Sequence, residues 1–156
     1  GVCYGLPIFS GWISPAGQKK VFLVLERSSD VEVALLHLAR IGNDKVKGIL
    51  AGGFEKWVEN GFPSESFSST FALQMKQSSF LEVLDVREVS EFEEGHIHNA
   101  RNAFVGHIQS HLADICGRYS KEMPLVVTCS VGNRASLAAS ILQVHLMFTS
   151  FHRLYF

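Results

Sequence analysis

Short unbroken apolar runs, each followed by a polar turn and an amphipathic stretch, recur along this chain. That pattern predicts buried parallel strands alternating with helices. Val21 to Leu25 (Val-Phe-Leu-Val-Leu) is the first such strand. A helix follows over Asp30 to Ile41, with Val33, Leu36, Leu38 and Ile41 plus Ala34 and Leu35 on a wide face, Asp30 as N-cap and Gly42-Asn43 as the stop. Val46 to Leu50 is a second strand, and Gly52-Gly53 opens a helix with Phe54, Trp57 and Val58 on one side, ended by Asn60-Gly61 and Pro63. From Pro63 to Ser69 the sequence turns to Ser, Glu and Phe, which places a linker at residues 64–70.

Beyond the linker, Phe71 to Lys76 reads as a modest amphipathic piece, Leu81 to Val86 as a strand, and Val89 to Glu93 as a short helix stopped by Gly95. A polar stretch runs to Asn102, and a helix is predicted from Val105 to Arg118 with Ile108, Leu112 and Ile115 facing inward. Leu125 to Thr128 (Leu-Val-Val-Thr) is the next buried strand, and Ala135 to Leu146 a helix rich in Ala and Leu. The fold class is therefore α/β, a mainly parallel central sheet flanked by helices.

Composition narrows the function more than the fold. With 156 residues and a formal net charge of -1 from 14 Lys+Arg against 15 Asp+Glu, nothing would draw the chain to nucleic acid or an anionic membrane, and neither partner is expected. No apolar run reaches 18 residues, so no transmembrane span is read, and the start lacks the basic opening of a signal peptide. The absent initiator Met reads as a fragment of something longer. Cys3, Cys116 and Cys129 are odd in number and widely spaced, without a Cys-x-x-Cys pair, so neither a disulfide framework nor a zinc site is predicted, and a reducing, cytoplasmic setting is expected. Among the histidines, His107 and His111 have the spacing of one helix face, yet His96, His98, His107 and His111 read as structural or surface positions, and neither metal nor cofactor is expected.

The candidate chemistry sits at the end of the strand Leu125 to Thr128. A Cys there lies at the carboxyl edge of a parallel sheet, where such sheets hold their ligands. Backbone N–H groups of Ser130, Val131, Gly132, Asn133 and Arg134 can form an anion nest, Gly132 permits the tight turn, and the following helix adds the positive end of its dipole. These features favour thiolate over thiol at Cys129. A lone Cys at a strand end is in general more often a small buried hydrophobe, so its surroundings decide the matter.

Those surroundings resemble a known family. Cys129-Ser-Val-Gly-Asn-Arg134-Ala135-Ser136 is similar to the active-site signature of rhodanese-like sulfurtransferases, and Leu84-Asp85-Val86-Arg87-Glu88, Glu91-Phe92 and Gly95-His96-Ile97 with Ala100 resemble the family's first block. The resemblance implies a sulfane sulfur passed from thiosulfate, a persulfide or a polysulfide to a thiophilic acceptor through a Cys129 persulfide. It also implies that Arg134 closes the loop and offers positive charge, while Asp85 and Arg87 brace it. Cysteine-dependent phosphatases, the nearest rival, have a Cys-to-Arg loop one residue longer.

Residues 1–63 resemble the second half of another such repeat, from the strand Val21 to Leu25 through Ala51-Gly-Gly-Phe-Glu-Lys-Trp57 to Asn60-Gly61-Phe62-Pro63, with Glu26 where a nucleophile would stand. A degenerate repeat behind a metallo-β-lactamase-fold hydrolase is a known arrangement in the family, and implies a non-catalytic binding or regulatory module as the alternative function. Residues 71–156 read as the active-type repeat, truncated or altered after about residue 142, where no strand is evident. An expectation follows: Val46 to Val58 supplies the missing element by docking beside Leu125 to Thr128.

Overall fold

The chain enters its first helix, α1 (Leu6–Ile13), with Pro7 in the first turn, where the missing N–H leaves no helical bond unmade. The computed structural model describes residues 5–14, 20–66, 68–71, 82–119, 125–146 and 151–155. The chain divides into two compact units, Gly1–Glu65 and Ser66–Phe156.

In the first unit, β1 (Val21–Leu23) and β2 (Val46–Ile49) pair in parallel, with α2 (Val31–Arg40) between them in sequence and α3 (Gly53–Glu59) after them. Leu23, Ala34 and Leu38 form the core, with Leu6, Val21, Leu25, Ile41 and Val46 packed against it. Asp30 stands at the N-cap of α2 as expected, but its side chain makes no cap hydrogen bond. A 3-10 turn at Ser28–Asp30 leads the chain into the helix already helically wound, and the Asp30 carboxylate takes the Arg27 guanidinium at 3.1 and 3.2 Å instead. Gly53 has φ +64, and a Cβ there would stand 2.5 Å from the Leu25 carbonyl oxygen, so the turn into α3 requires glycine. Phe22, Val24, Ile49 and Phe54 remain exposed.

The second unit is built on five parallel strands in the order β3-β7-β6-β4-β5, where β3 is Ser68–Phe71, β4 Glu82–Asp85, β5 Arg101–Asn102, β6 Leu125–Thr128 and β7 Phe151–Tyr155. Strand β6 lies in the middle and is buried at all four positions, which is why its sequence is continuously apolar up to Thr128. Helix α4 (Val89–Glu94) follows β4, α5 (Leu112–Arg118) precedes β6, and α6 (Asn133–Leu146) follows it. Ala135, Ala138, Ala139 and Leu142 are buried, and their spacing of three and four residues makes one inner stripe on α6. Burying each large apolar side chain such as Leu84, Leu125 and Leu142 contributes about 1.5–3 kcal/mol.

Several expectations change. The helix predicted from Val105 to Arg118 is a 3-10 segment, Val105–His111, followed by α5. In a 3-10 helix residues three apart share a face, which accounts for the joint burial of Val105 and Ile108, and it separates His107 from His111. Ser68–Phe71, read as linker and the start of an amphipathic piece, pairs with β7, whereas the rest of that piece, Ala72 to Lys76, lies outside the described residues. A strand, β7, does follow α6, against the expectation of none. It also overturns the docking of Val46 to Val58 beside β6: β4 and β7 occupy both edges of β6, and β2 is hydrogen-bonded to β1.

Candidate functional site

Strands β4 and β6 end side by side, with Asp85 opposite Thr128, and the Val86 N–H donates to the Thr128 carbonyl at 3.0 Å. The two loops that leave these ends share one hollow. Cys129 is the first residue past β6 and is 1% exposed. Its Sγ accepts the Gly132 N–H at 3.1 Å and the Ala135 N–H at 3.3 Å, and it is a free thiol. The loop can turn this sharply because Gly132 has φ 88, a left-handed angle, and its carbonyl then accepts the Ser136 N–H at 2.9 Å in the first turn of α6. The sulfur therefore sits at the amino end of a 14-residue helix with no acidic residue in its first turn, where partial positive charge favours an anion. Substituting Gly132→Ala is expected to cost about 1–3 kcal/mol from the left-handed backbone. Chemical denaturation of the purified variant measures that loss.

Arg134 spans the loop. Its Nη1 donates to Glu91 Oε2 at 2.6 Å and its Nη2 to Glu91 Oε1 at 2.8 Å, a two-pronged pair, while Nη2 also donates to Ser130 Oγ at 2.9 Å. Glu91 is thus part of the site's framework, although the sequence drew it in only as a letter of the family's first block. A usable signal existed: Glu88 and Glu91 stand three apart at a helix start, and they form a capping box in which Glu91 accepts the Glu88 N–H at 3.2 Å. The Arg134 hydrogen bonds hold the Glu91 carboxyl at about 2, against an ordinary 4.5, and Glu91 in turn raises Arg134. Because the folded value is depressed, this pair's stabilisation is complete above pH 4.5 and disappears as pH falls toward 2. Wild type and Glu91→Gln should therefore differ in thermal midpoint at neutral pH and converge over that acid range. A constant difference would mean that the pair does not titrate as described.

Asp85 and Arg87 brace the other wall. Asp85 is 1% exposed, accepts Arg87 Nε at 3.0 Å and Nη2 at 2.7 Å, and also accepts the Arg87 backbone N–H at 3.0 Å. Arg87 Nη2 reaches on to the Gly95 carbonyl at 2.7 Å, and Asn102 Nδ2 donates to the Asp85 and Arg87 carbonyls at 3.2 and 2.9 Å. Its hydrogen bonds with Asp85 raise Arg87 and keep it charged. His96 lies on the same wall. Its Nδ1 is 2.8 Å from the Phe92 carbonyl, which can only accept, so Nδ1 carries the proton, and its ring stacks on Phe92 with centroids 3.7 Å apart.

Between the walls lies a cavity of about 440 Å³ lined by Asp85, Arg87, Gly95, His96, Ile97, Cys129 and Ser130. Cys129, Ser130, Asp85 and Arg87 line it, while Gly132 and Arg134 act from the loop, Gly132 through its N–H on Cys129 Sγ and Arg134 through its bond to Ser130 Oγ. Val131 and Asn133 occupy the loop's exposed outer side. Among the described residues, no group of three His, Cys, Asp or Glu side chains could hold a metal ion, and no helix is long and apolar enough to cross a membrane.

The arrangement is an α/β domain with a cysteine loop at the carboxyl edge of its parallel sheet. Residues 69–155 match the rhodanese-like domain, and the chain belongs to the rhodanese-like family. Among solved structures, a single-domain sulfurtransferase of Saccharomyces cerevisiae is 15% identical with a TM-score of 0.50, over 60% of this chain and 86% of that one. A rhodanese-related protein of Thermoplasma volcanium is 25% identical with a TM-score of 0.46, over 56% of this chain and 83% of that one. The SseA 3-mercaptopyruvate sulfotransferase of Escherichia coli is 16% identical with a TM-score of 0.47, over 78% and 58%. No curated protein matches the chain.

Proposed function

We propose that this chain is a sulfurtransferase whose nucleophile is Cys129. One observation carries the reading: a buried sulfur receives two backbone N–H groups, from Gly132 and Ala135, at the head of α6, and borders an open cavity. In the first step the Cys129 thiolate attacks the outer sulfur of the donor. The donor's S–S bond breaks, the leaving group departs with the electron pair, and Cys129 becomes a persulfide, Cys–S–S⁻. In the second step an acceptor such as cyanide attacks the outer sulfur, the Cys–S–S bond breaks, and the thiolate returns as thiocyanate leaves. The loop's amides stabilise the anionic sulfur, and Arg134, tied to Glu91 and Ser130, holds the loop in shape. Asp85 and Arg87 position the facing wall.

The first unit fits a degenerate repeat. β1 ends at Leu23, three residues before Glu26, the position that matches the nucleophile, so that unit has no thiol there. A degenerate repeat ahead of an active-type one is also compatible with a role as a module beside a metallo-β-lactamase-fold hydrolase in a reducing, cytoplasmic setting. The test is turnover: the purified chain, given a sulfane donor and cyanide, forms thiocyanate catalytically. A folded sample that forms none favours the binding module.

A further inference from the structure

Resting on the transferase reading, we infer that Arg87 binds the sulfur donor as well as bracing its wall: its Nη1 receives an anionic oxygen group of the donor, a sulfonate or a carboxylate, while the outer sulfur meets Cys129. A guanidinium carries five N–H groups, one on Nε and two on each terminal nitrogen. Arg87 sets one edge against Asp85, with Nε 3.0 Å from both carboxylate oxygens and Nη2 2.7 Å from Oδ2, and Nη2 also donates to the Gly95 carbonyl at 2.7 Å. Among the described residues, none of its hydrogen bonds uses Nη1. Because the group is planar and its Nε–Nη2 edge is fixed on Asp85, Nη1 is held at the corner turned away from the carboxylate. Asp85 is 1% exposed whereas 20% of the Arg87 side chain stays open, so the pair offers the cavity chiefly its cation.

The rest of the site leaves this task to Arg87. The Gly132 and Ala135 amides converge on Cys129 Sγ itself. Arg134 stands outside the cavity lining, with Nη1 and Nη2 on Glu91 and Nη2 also on Ser130 Oγ. Ile97 offers no side-chain donor, and His96 directs its Nδ1 proton to the Phe92 carbonyl. Among the described residues that border the cavity, Arg87 is thus the cation with donors to spare. The positive charge that the family resemblance assigns to Arg134 falls instead to the facing wall. Recognition there is by contact and direction, because Asp85 behind the guanidinium offsets its long-range field and leaves the Nη1 N–H groups to select the anion at hydrogen-bond distance. Transfer itself is unchanged: the donor's bond to its outer sulfur breaks and the electron pair leaves on sulfite or on the donor's thiolate, with Arg87 turning the donor so that the outer sulfur faces Cys129.

The deciding experiment compares kcat/KM in wild type and in Arg87→Lys, with cyanide as acceptor, for thiosulfate, for glutathione persulfide, whose carbon portion carries carboxylates, and for 2-hydroxyethyl persulfide, whose carbon portion carries no charge. In Arg87→Lys the ammonium is drawn onto Asp85 and has no far corner to offer. That variant should lose at least about tenfold for thiosulfate, for glutathione persulfide or for both, the scale of one charged hydrogen bond, and less than about twofold for 2-hydroxyethyl persulfide. A loss confined to thiosulfate assigns the sulfonate, and a loss confined to glutathione persulfide assigns the carboxylate. Equal losses for all three donors, or no loss for any, make Arg87 a brace alone and overturn the inference while leaving the transferase reading intact. Arg87→Gln, whose amide can still donate to Asp85, takes the same test if the lysine variant does not fold. Failure of every donor to load sulfur onto folded wild-type protein overturns the transferase reading as well.

Discussion

Cys129→Ser should reduce thiocyanate formation at least about a thousandfold, to the uncatalysed background, because a serine hydroxyl at its ordinary acidity is a far weaker nucleophile than a thiolate. The same variant should stay folded. Its oxygen occupies nearly the place of the sulfur and can accept from the Gly132 and Ala135 amides that now donate at 3.1 and 3.3 Å. The change in unfolding free energy should therefore be within about 1 kcal/mol. Cys129→Ala separates the two roles: it removes the acceptor from both buried amides, so it should lose activity equally and destabilise by about 1–3 kcal/mol. Thiocyanate assays paired with urea denaturation read both quantities. A Ser variant that retains more than a few per cent of the rate would mean that transfer runs elsewhere.

Asp85→Ala has the largest expected effect on stability, a loss of about 3–5 kcal/mol, because it strips the partner from a largely buried guanidinium. Asp85 is 1% exposed and receives the Nε, the Nη2 and the backbone N–H of Arg87, so its removal undoes the turn after β4 and frees the arm that holds the Gly95 carbonyl. Asp85→Asn keeps the volume and an acceptor oxygen, and should lose less. Urea midpoints followed by circular dichroism measure the difference, and a loss below about 1 kcal/mol for Asp85→Ala would show that the pair contributes no more than a surface ion pair does.

How far this was legible in the sequence depends on where each element's stability comes from. β6 and α6 could be read because burial dictates their letters: four apolar or near-apolar residues through the middle of a sheet, and a stripe of Ala135, Ala138, Ala139 and Leu142 against it. β3 and β7 could not. Ser68-Ser69-Thr70-Phe71 carries the composition of a loop, and Phe151 to Tyr155 interrupts its apolar residues with His152 and Arg153; both are strands because a neighbouring strand supplies their hydrogen bonds, and that information lies in the pairing rather than in either segment. α1 escaped for a related reason, being a single short amphipathic stretch whose Leu6 is held by the Leu23, Ala34 and Leu38 core.

In the site, the turn at Gly132 could be read from the residues themselves, whereas Cys129 and Arg134 were singled out by the resemblance of their loop to the family's signature. The partner of Arg134 could not be read, since Glu91 lies 43 residues away on α4 and only the sheet brings the two together. That pairing gives the Arg134 guanidinium a fixed carboxylate partner beside the loop. The amide of Ala135 was likewise read as helix rather than cradle, because the boundary between loop and helix falls at Asn133, inside the ring of donors.

The most direct measurement of the central claim is where a transferred sulfur stops. The protein is incubated with a sulfane donor in the absence of acceptor, weighed intact by mass spectrometry, and then mapped by peptide. One additional sulfur atom per chain, on Cys129 and discharged by cyanide, is the predicted result. Sulfur found instead on Cys3 or Cys116, or none at all on a folded chain, would contradict it.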